Sequence, residues 1–160
     1  MEIKQDITKV KKGYIVQQCN CITLYPLGLA RDLDKAFPGS CPYYERKSLT
    51  SNTAKEQDRD SPGTVQSVDF GDVVILNLFG QYAPGKPSRG VDSRENRLEY
   101  FKHGLEIIED YLKDRKDDWD VYFPYKIGCG LAGGRWEEDY LPAILDFSKR
   151  VKNVKICVHE

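Results

Sequence analysis

Histidine is nearly missing from this chain: His103 falls in a long helical pattern and His159 is the penultimate residue, so a histidine-based metal centre has poor material to draw on. The five cysteines, Cys19, Cys21, Cys41, Cys129 and Cys157, are odd in number and include no Cys-x-x-Cys pair. That fits reduced intracellular thiols better than a disulfide frame, and the spacings of zinc sites are absent, so no metal and no cofactor is expected. No apolar run approaches the roughly 18 residues that span a bilayer, and Met1 to Asp6 has no apolar secretory core. A soluble, unexported, cytoplasmic protein without a membrane partner is therefore expected. Charge of one sign is lacking too. With 24 Lys and Arg against 25 Asp and Glu, the net charge of -1 leaves no basic footprint for duplex nucleic acid.

What is present is ordinary globular material, 40% hydrophobic and 31% charged, and 160 residues suit one domain over 1–160. Short strand-like apolar runs lie near Ile3 and at Tyr14 to Cys19, Val65 to Val68, Val73 to Phe79, Trp119 to Phe123 and Val154 to Val158. Helical patterns alternate with them. Leu98, Phe101, Leu105, Ile108 and Leu112 follow a 3-4-3-4 spacing, with capping side chains in Asp92 to Glu95 just upstream. Leu29 to Phe37 reads as a shorter helix stopped by Pro38 and Gly39, and Tyr140, Leu141, Ile144, Leu145 and Phe147 mark a last one with Pro142 in its first turn. Strands that are continuously apolar and alternate with helices indicate an α/β structure whose sheet is covered on both faces. Ser48 to Pro62 and Gln81 to Val91 are polar and turn-rich, and read as surface loops, each either a lid over a ligand or a mobile connection.

The densest chemistry lies in Phe123-Pro-Tyr-Lys-Ile-Gly-Cys-Gly-Leu-Ala-Gly-Gly-Arg-Trp136, where an apolar strand passes through a loop with glycines at 128, 130, 133 and 134 into a helical pattern. Such a loop lets N–H groups of the turn and of the next helix start face one anion, so it is either a diphosphate cradle or a tight strand-to-helix turn. The Walker order is absent. Its place at the carboxyl end of a strand is where α/β sheets hold ligands.

Gln5-Asp-Ile-Thr8, Val16-Gln-Gln-Cys-Asn20 with Gly28-Leu-Ala30, and Ile127-Gly-Cys-Gly-Leu131 with Trp136 together resemble a macro domain, in order and spacing along nearly the whole chain. Within that family the likeness is nearest to the branch of ADP-ribose 1''-phosphate phosphatases and terminal ADP-ribose protein glycohydrolases. The resemblance implies a three-layer α/β/α sandwich with a mixed central sheet and a site for ADP-ribose or a derivative. Asp6 corresponds to the acceptor of the adenine amino group, with the Ile7 N–H close to the ring; a turn cap before Thr8 is the competing role. Asn20 corresponds to the asparagine at the distal ribose, or it forms a turn. Gly28, Leu29 and Ala30 match a first substrate loop, although Tyr25-Pro-Leu-Gly28 carries a single glycine where the family's run is richer. Gly128, Cys129, Gly130, Leu131 and Ala132 match the loop around the diphosphate, with Cys129 a small buried neighbour rather than a nucleophile and Trp136 packing a helix onto the sheet.

The family branch that forms a covalent lysyl intermediate has a lysine after the central strand and an aspartate after Gly-Cys-Gly-Leu; here Gln81 and Ala132 stand in those places. Hydrolysis assisted by substrate or water remains, with Asn20 orienting the sugar, Gln81 positioning a water and Asp32 either a general base or an exposed helix carboxylate. Arg94, Asn96 and Arg97 either reach the same end of the sheet or are surface residues of a first helical turn. The expectation is a hydrolase acting at the distal ribose, on ADP-ribose 1''-phosphate or on ADP-ribose attached to a protein or a nucleic-acid end. The alternative is a reader that binds free or attached ADP-ribose without turnover.

Overall fold

The computed structural model describes residues 1–159. In chain order the elements are β1 (Glu2–Lys4), β2 (Gly13–Asn20), α1 (Leu29–Ala36), β3 (Ser48–Thr50), β4 (Thr53–Ala54), β5 (Val65–Asp69), β6 (Val73–Gln81), α2 (Arg94–Lys113), β7 (Val121–Pro124), α3 (Leu141–Ser148) and β8 (Val154–Val158). One six-stranded sheet has the order β1-β8-β7-β2-β6-β5. All neighbouring pairs in it are parallel except β5, which runs antiparallel along β6. The sheet is therefore mixed.

Successive residues of a strand point to opposite faces, and both faces here are covered. Tyr14 and Val16 of β2 and Val74, Leu76 and Leu78 of β6 pack with Phe101, Leu105 and Ile108 of α2 and with Ile144 and Phe147 of α3. Ile15, Val73 and Ile75 face the other way, into a second core with Leu33 of α1. Every residue of β6 is buried, which is why its sequence is a run rather than an alternation. Gly104 lets α2 approach this strand closely: a Cβ there would sit 2.7 Å from Leu78 Cδ2.

Three local expectations are corrected. Ser48 to Pro62 is not an open loop: β3 and β4 form a small hairpin in it, followed by a 3-10 turn at Glu56–Asp58, and Ala54 is fully buried. Gln81 is the last residue of β6 and is buried, so the second loop starts after it. The segment after the glycine loop does not enter α3 directly. A π-helical turn at Trp136–Tyr140 intervenes, with Glu137, Glu138 and Asp139 in it. These acidic side chains occupy the helical start that was expected to face an anion. At α2 the cap is Ser93, whose Oγ accepts from Asn96 N at 3.1 Å, while Asp92 is used elsewhere.

Candidate functional site

Because β7, β2 and β6 run parallel, their carboxyl ends share one edge of the sheet, and β2 lies between the other two. Connections leaving in opposite directions open a crevice at such a point. A cavity of about 560 Å³ occupies it, bounded by the start of α1, the glycine loop and Pro84-Gly85. That volume lies in the ordinary range for small-molecule sites.

Two sets of backbone N–H groups border the cavity. Gly28, the residue before α1, has φ 58° and ψ -132°, and no side chain caps the helix. The first N–H of this helix to find a carbonyl is that of Asp32, on Gly28 O at 3.1 Å; those of Leu29, Ala30 and Arg31 have no partner among the described residues. The glycine loop braces itself instead. Cys129 N donates to Lys126 O at 2.9 Å, Gly133 N to Gly130 O at 3.0 Å and Gly134 N to Gly128 O at 2.9 Å. A Cβ on Gly134 would collide with the Gly128 carbonyl, so this closure needs glycine. The N–H groups of Gly128, Gly130, Leu131 and Ala132 are left without a partner among the described residues. Unpaired backbone donors at a helix start and in a loop are the arrangement that takes up an anion.

Buried arginines hold these walls. Of the two roles the sequence leaves open for Arg97, surface charge is excluded: it is 2% exposed and its guanidinium spans two loops at the carboxyl end of the sheet. It donates to Ala83 O at 3.1 Å and Gly85 O at 2.8 Å on one side and to Ala132 O at 3.2 Å on the other, and pairs with Asp92 Oδ1 at 3.1 Å. Asp92 in turn accepts from the N–H groups of Tyr82 and Ala83. The loop after β6 is thus pinned to the glycine loop and is no free lid at these points. Arg94 goes to Asp139 at 2.7 Å, and Asn96 Nδ2 donates to Gly90 O. Arg46, missed in the sequence, donates to Thr23 O, Asn20 O and Asp60 Oδ2 at 2.8–2.9 Å, with its guanidinium 4.6 Å from the centre of the Tyr43 ring. Nothing in a polar, turn-rich stretch distinguishes a buried arginine from a solvated one; only the neighbouring carbonyls do.

The structure brings Asn20, Gln81, Gly28, Leu29, Ala30, Gly128, Gly130, Leu131 and Ala132 to the cavity wall. Asn20 forms the turn: its Oδ1 accepts from Ile22 N, Thr23 N and Thr23 Oγ1, which leaves its Nδ2 as the available donor. Gln81 is tied at both ends, accepting from Gln18 Nε2 at 2.8 Å and donating to Ala83 O at 2.9 Å. Asp32 is outside the lining, an exposed carboxylate 3.8 Å from Arg31. Cys129 is also outside it; its Sγ donates to Ile127 O, and burial pushes the thiol up to about 11, so it is a neutral group at physiological pH. Asp6 and Ile7 follow β1, beyond the cavity wall. Ile7 is in the core, and Asp6 caps its turn by accepting from Thr8 Oγ1 at 2.7 Å and Thr8 N at 3.0 Å. Those bonds hold the Asp6 carboxyl below its usual range. No aspartate, glutamate, histidine or cysteine lines the cavity among the described residues, and Lys126 is its one charged side chain.

No protein-family model matches the chain, and no curated protein matches it significantly in sequence. Solved structures do match. A protein of unknown function from Bacteroides thetaiotaomicron superposes with a TM-score of 0.74 at 23% identity, over 100% of this chain and 97% of its own. The macrodomain of Thermus aquaticus DarG gives 0.70 at 20% identity over 99% of this chain and 96% of its own. The macrodomain of Mycobacterium tuberculosis DarG gives 0.71 at 18% identity over 99% and 97%. Two of these neighbours are macrodomains, and the chain has a macrodomain-like α/β fold with a mixed central sheet flanked by helices.

Proposed function

We propose that the cavity binds ADP-ribose, free or attached to a macromolecule, with the diphosphate between the start of α1 and the glycine loop. The observation that carries this reading is the pair of unpartnered N–H sets, Leu29 with Ala30 and Gly128 with Gly130 to Ala132, on the wall of one cavity in a macrodomain-like fold. Two anionic groups joined in series suit donors arranged that way. Asp6, at the same edge of the sheet, is proposed to accept from the adenine amino group through Oδ2, the carboxylate oxygen that Thr8 does not use and that His159 Nε2 approaches at 3.3 Å.

Among the described residues the wall offers no carboxylate, imidazole or thiol, only the Lys126 ammonium and the hydroxyls of Thr23, Tyr25, Tyr43 and Tyr125, which favours a binding module over an enzyme working by a carboxylate or histidine base. A second reading, hydrolysis at the distal ribose, is favoured by one feature: Asn20 Oδ1 is locked by its three turn donors, so Nδ2 is a pre-oriented donor toward a sugar hydroxyl or a leaving phosphate. Chemistry then comes from a water or from the substrate. Calorimetric titration with ADP-ribose, run beside a phosphate-release assay on ADP-ribose 1''-phosphate, separates the two. Binding without release supports the reader. Release abolished by Asn20→Ala supports the hydrolase, and absence of any binding overturns both.

A further inference from the structure

Lys126 occupies an unusual backbone position for a side chain of its kind. It is the third residue of a turn closed by Ile127 N donating to Pro124 O at 3.1 Å, and its φ is 59°. Turns with a positive φ at that position take glycine or asparagine, because a Cβ crowds the following carbonyl there. The chain nevertheless carries a lysine, with its ammonium 5.4 Å from the centre of the Tyr125 ring. Its carbonyl accepts from Cys129 N, so the residue opens the glycine loop. No carboxylate pairs with this ammonium among the described residues, unlike Arg94, Arg97 and Arg46 around the same cavity. Lys126 is exposed and is, among the described residues, the one charged side chain on a wall otherwise made of neutral groups and N–H donors, so its ammonium is open to an anionic ligand.

The geometry points to Lys126 as a specificity-determining residue whose ammonium pairs with a phosphate of the bound ligand, making the cavity selective for a nucleoside diphosphate sugar over its uncharged nucleoside. This rests on the reading of the cavity as an ADP-ribose site. Strained backbone clusters at ligand-contacting positions, and of the described positive-φ residues other than glycine, Ser51, Lys126 and Asn153, Lys126 is the one that lines the cavity. The ammonium acts by charge rather than by a fixed fork of donors, so it tolerates small shifts of the phosphate.

The left-handed backbone makes the test sharp, because the substitution that removes the charge also removes the strain. Lys126→Gly is expected to melt at the same temperature as the parent or higher while its affinity for ADP-ribose falls about tenfold and its dependence on salt flattens. Lys126→Asn, which also accepts positive φ, should show the same loss, and Lys126→Arg should retain most of the affinity. Adenosine, titrated as the uncharged probe, should bind parent and variants alike. Equal ADP-ribose affinity in parent and Lys126→Gly, or a loss that extends equally to adenosine, would overturn the assignment to Lys126 and leave the site itself standing. Failure of the parent to bind ADP-ribose would overturn the site and this role with it.

Discussion

At Gly28 the backbone enters α1 from φ 58°, where any Cβ is strained although the surrounding space is open. Gly28→Ala should therefore cost about 1–2 kcal/mol, lower the melting temperature, and turn the N–H groups of Leu29 and Ala30 away from the cavity. Calorimetry should find ADP-ribose affinity reduced at least tenfold; a variant that loses stability but binds normally would mean that the start of α1 does not contact the ligand. Arg46 makes the opposite kind of contribution. It supplies donors to carbonyls of the turn that carries Asn20, while Asp60, its carboxylate partner, is more than a third exposed. Arg46→Met should cost about 3 kcal/mol, mostly from the carbonyls left without a donor, as read by denaturant titration. A cost within 0.5 kcal/mol or so, ordinary for surface changes, would mean that water replaces the guanidinium.

Between elements, the Arg97 guanidinium makes one unit of two loops that are far apart in sequence. Arg97→Met removes the donors to Ala83, Gly85 and Ala132 together and leaves Asp92 without its cation. Breaking a buried pair in this way costs about 3–5 kcal/mol. Hydrogen exchange should accelerate together at Tyr82 and Ala83 and at Gly133 and Gly134, whose N–H groups are hydrogen-bonded, with ligand affinity falling in parallel. Acceleration in only one of the loops would show that they are held independently. The sheet is less sensitive at this site, because β6 is anchored along its length by β2 and β5.

For the molecule as a whole, burial raises many groups that ionise in alkali. The Cys41 and Cys129 thiols rise to about 11 from 9.0, those of Cys21 and Cys157 to about 12, and the Tyr14 and Tyr140 phenols to about 12 from 10.0. In each case desolvation favours the neutral form in the fold. The unfolded chain then loses protons first as pH rises. Stability from these groups is complete below about pH 9 and declines progressively through pH 12 as they ionise in the folded state too. Urea midpoints measured at pH 8, 10 and 11 should fall in that order, and a flat profile would contradict it. Thiol titration at pH 8 should find Cys19, Cys21, Cys41 and Cys157 unreactive until denaturant is added, since all of them are buried.

What the sequence determined by itself is the alternation of elements and the location of the glycine loop. Those follow from short-range rules: continuous apolar strands, a 3-4-3-4 helical stripe, and glycines where L side chains do not fit. The order of strands in the sheet and the pinning of the loops were decided only in three dimensions. Arg46 and Arg97 look like any surface cation in a linear reading, because their burial depends on carbonyls brought from other segments. Asp32 looked like a candidate base because it is one turn from Gly28, yet it faces solvent beside Arg31 rather than the cavity. Short-range sterics are written residue by residue, whereas a buried charge is stable only where the rest of the chain supplies its partners.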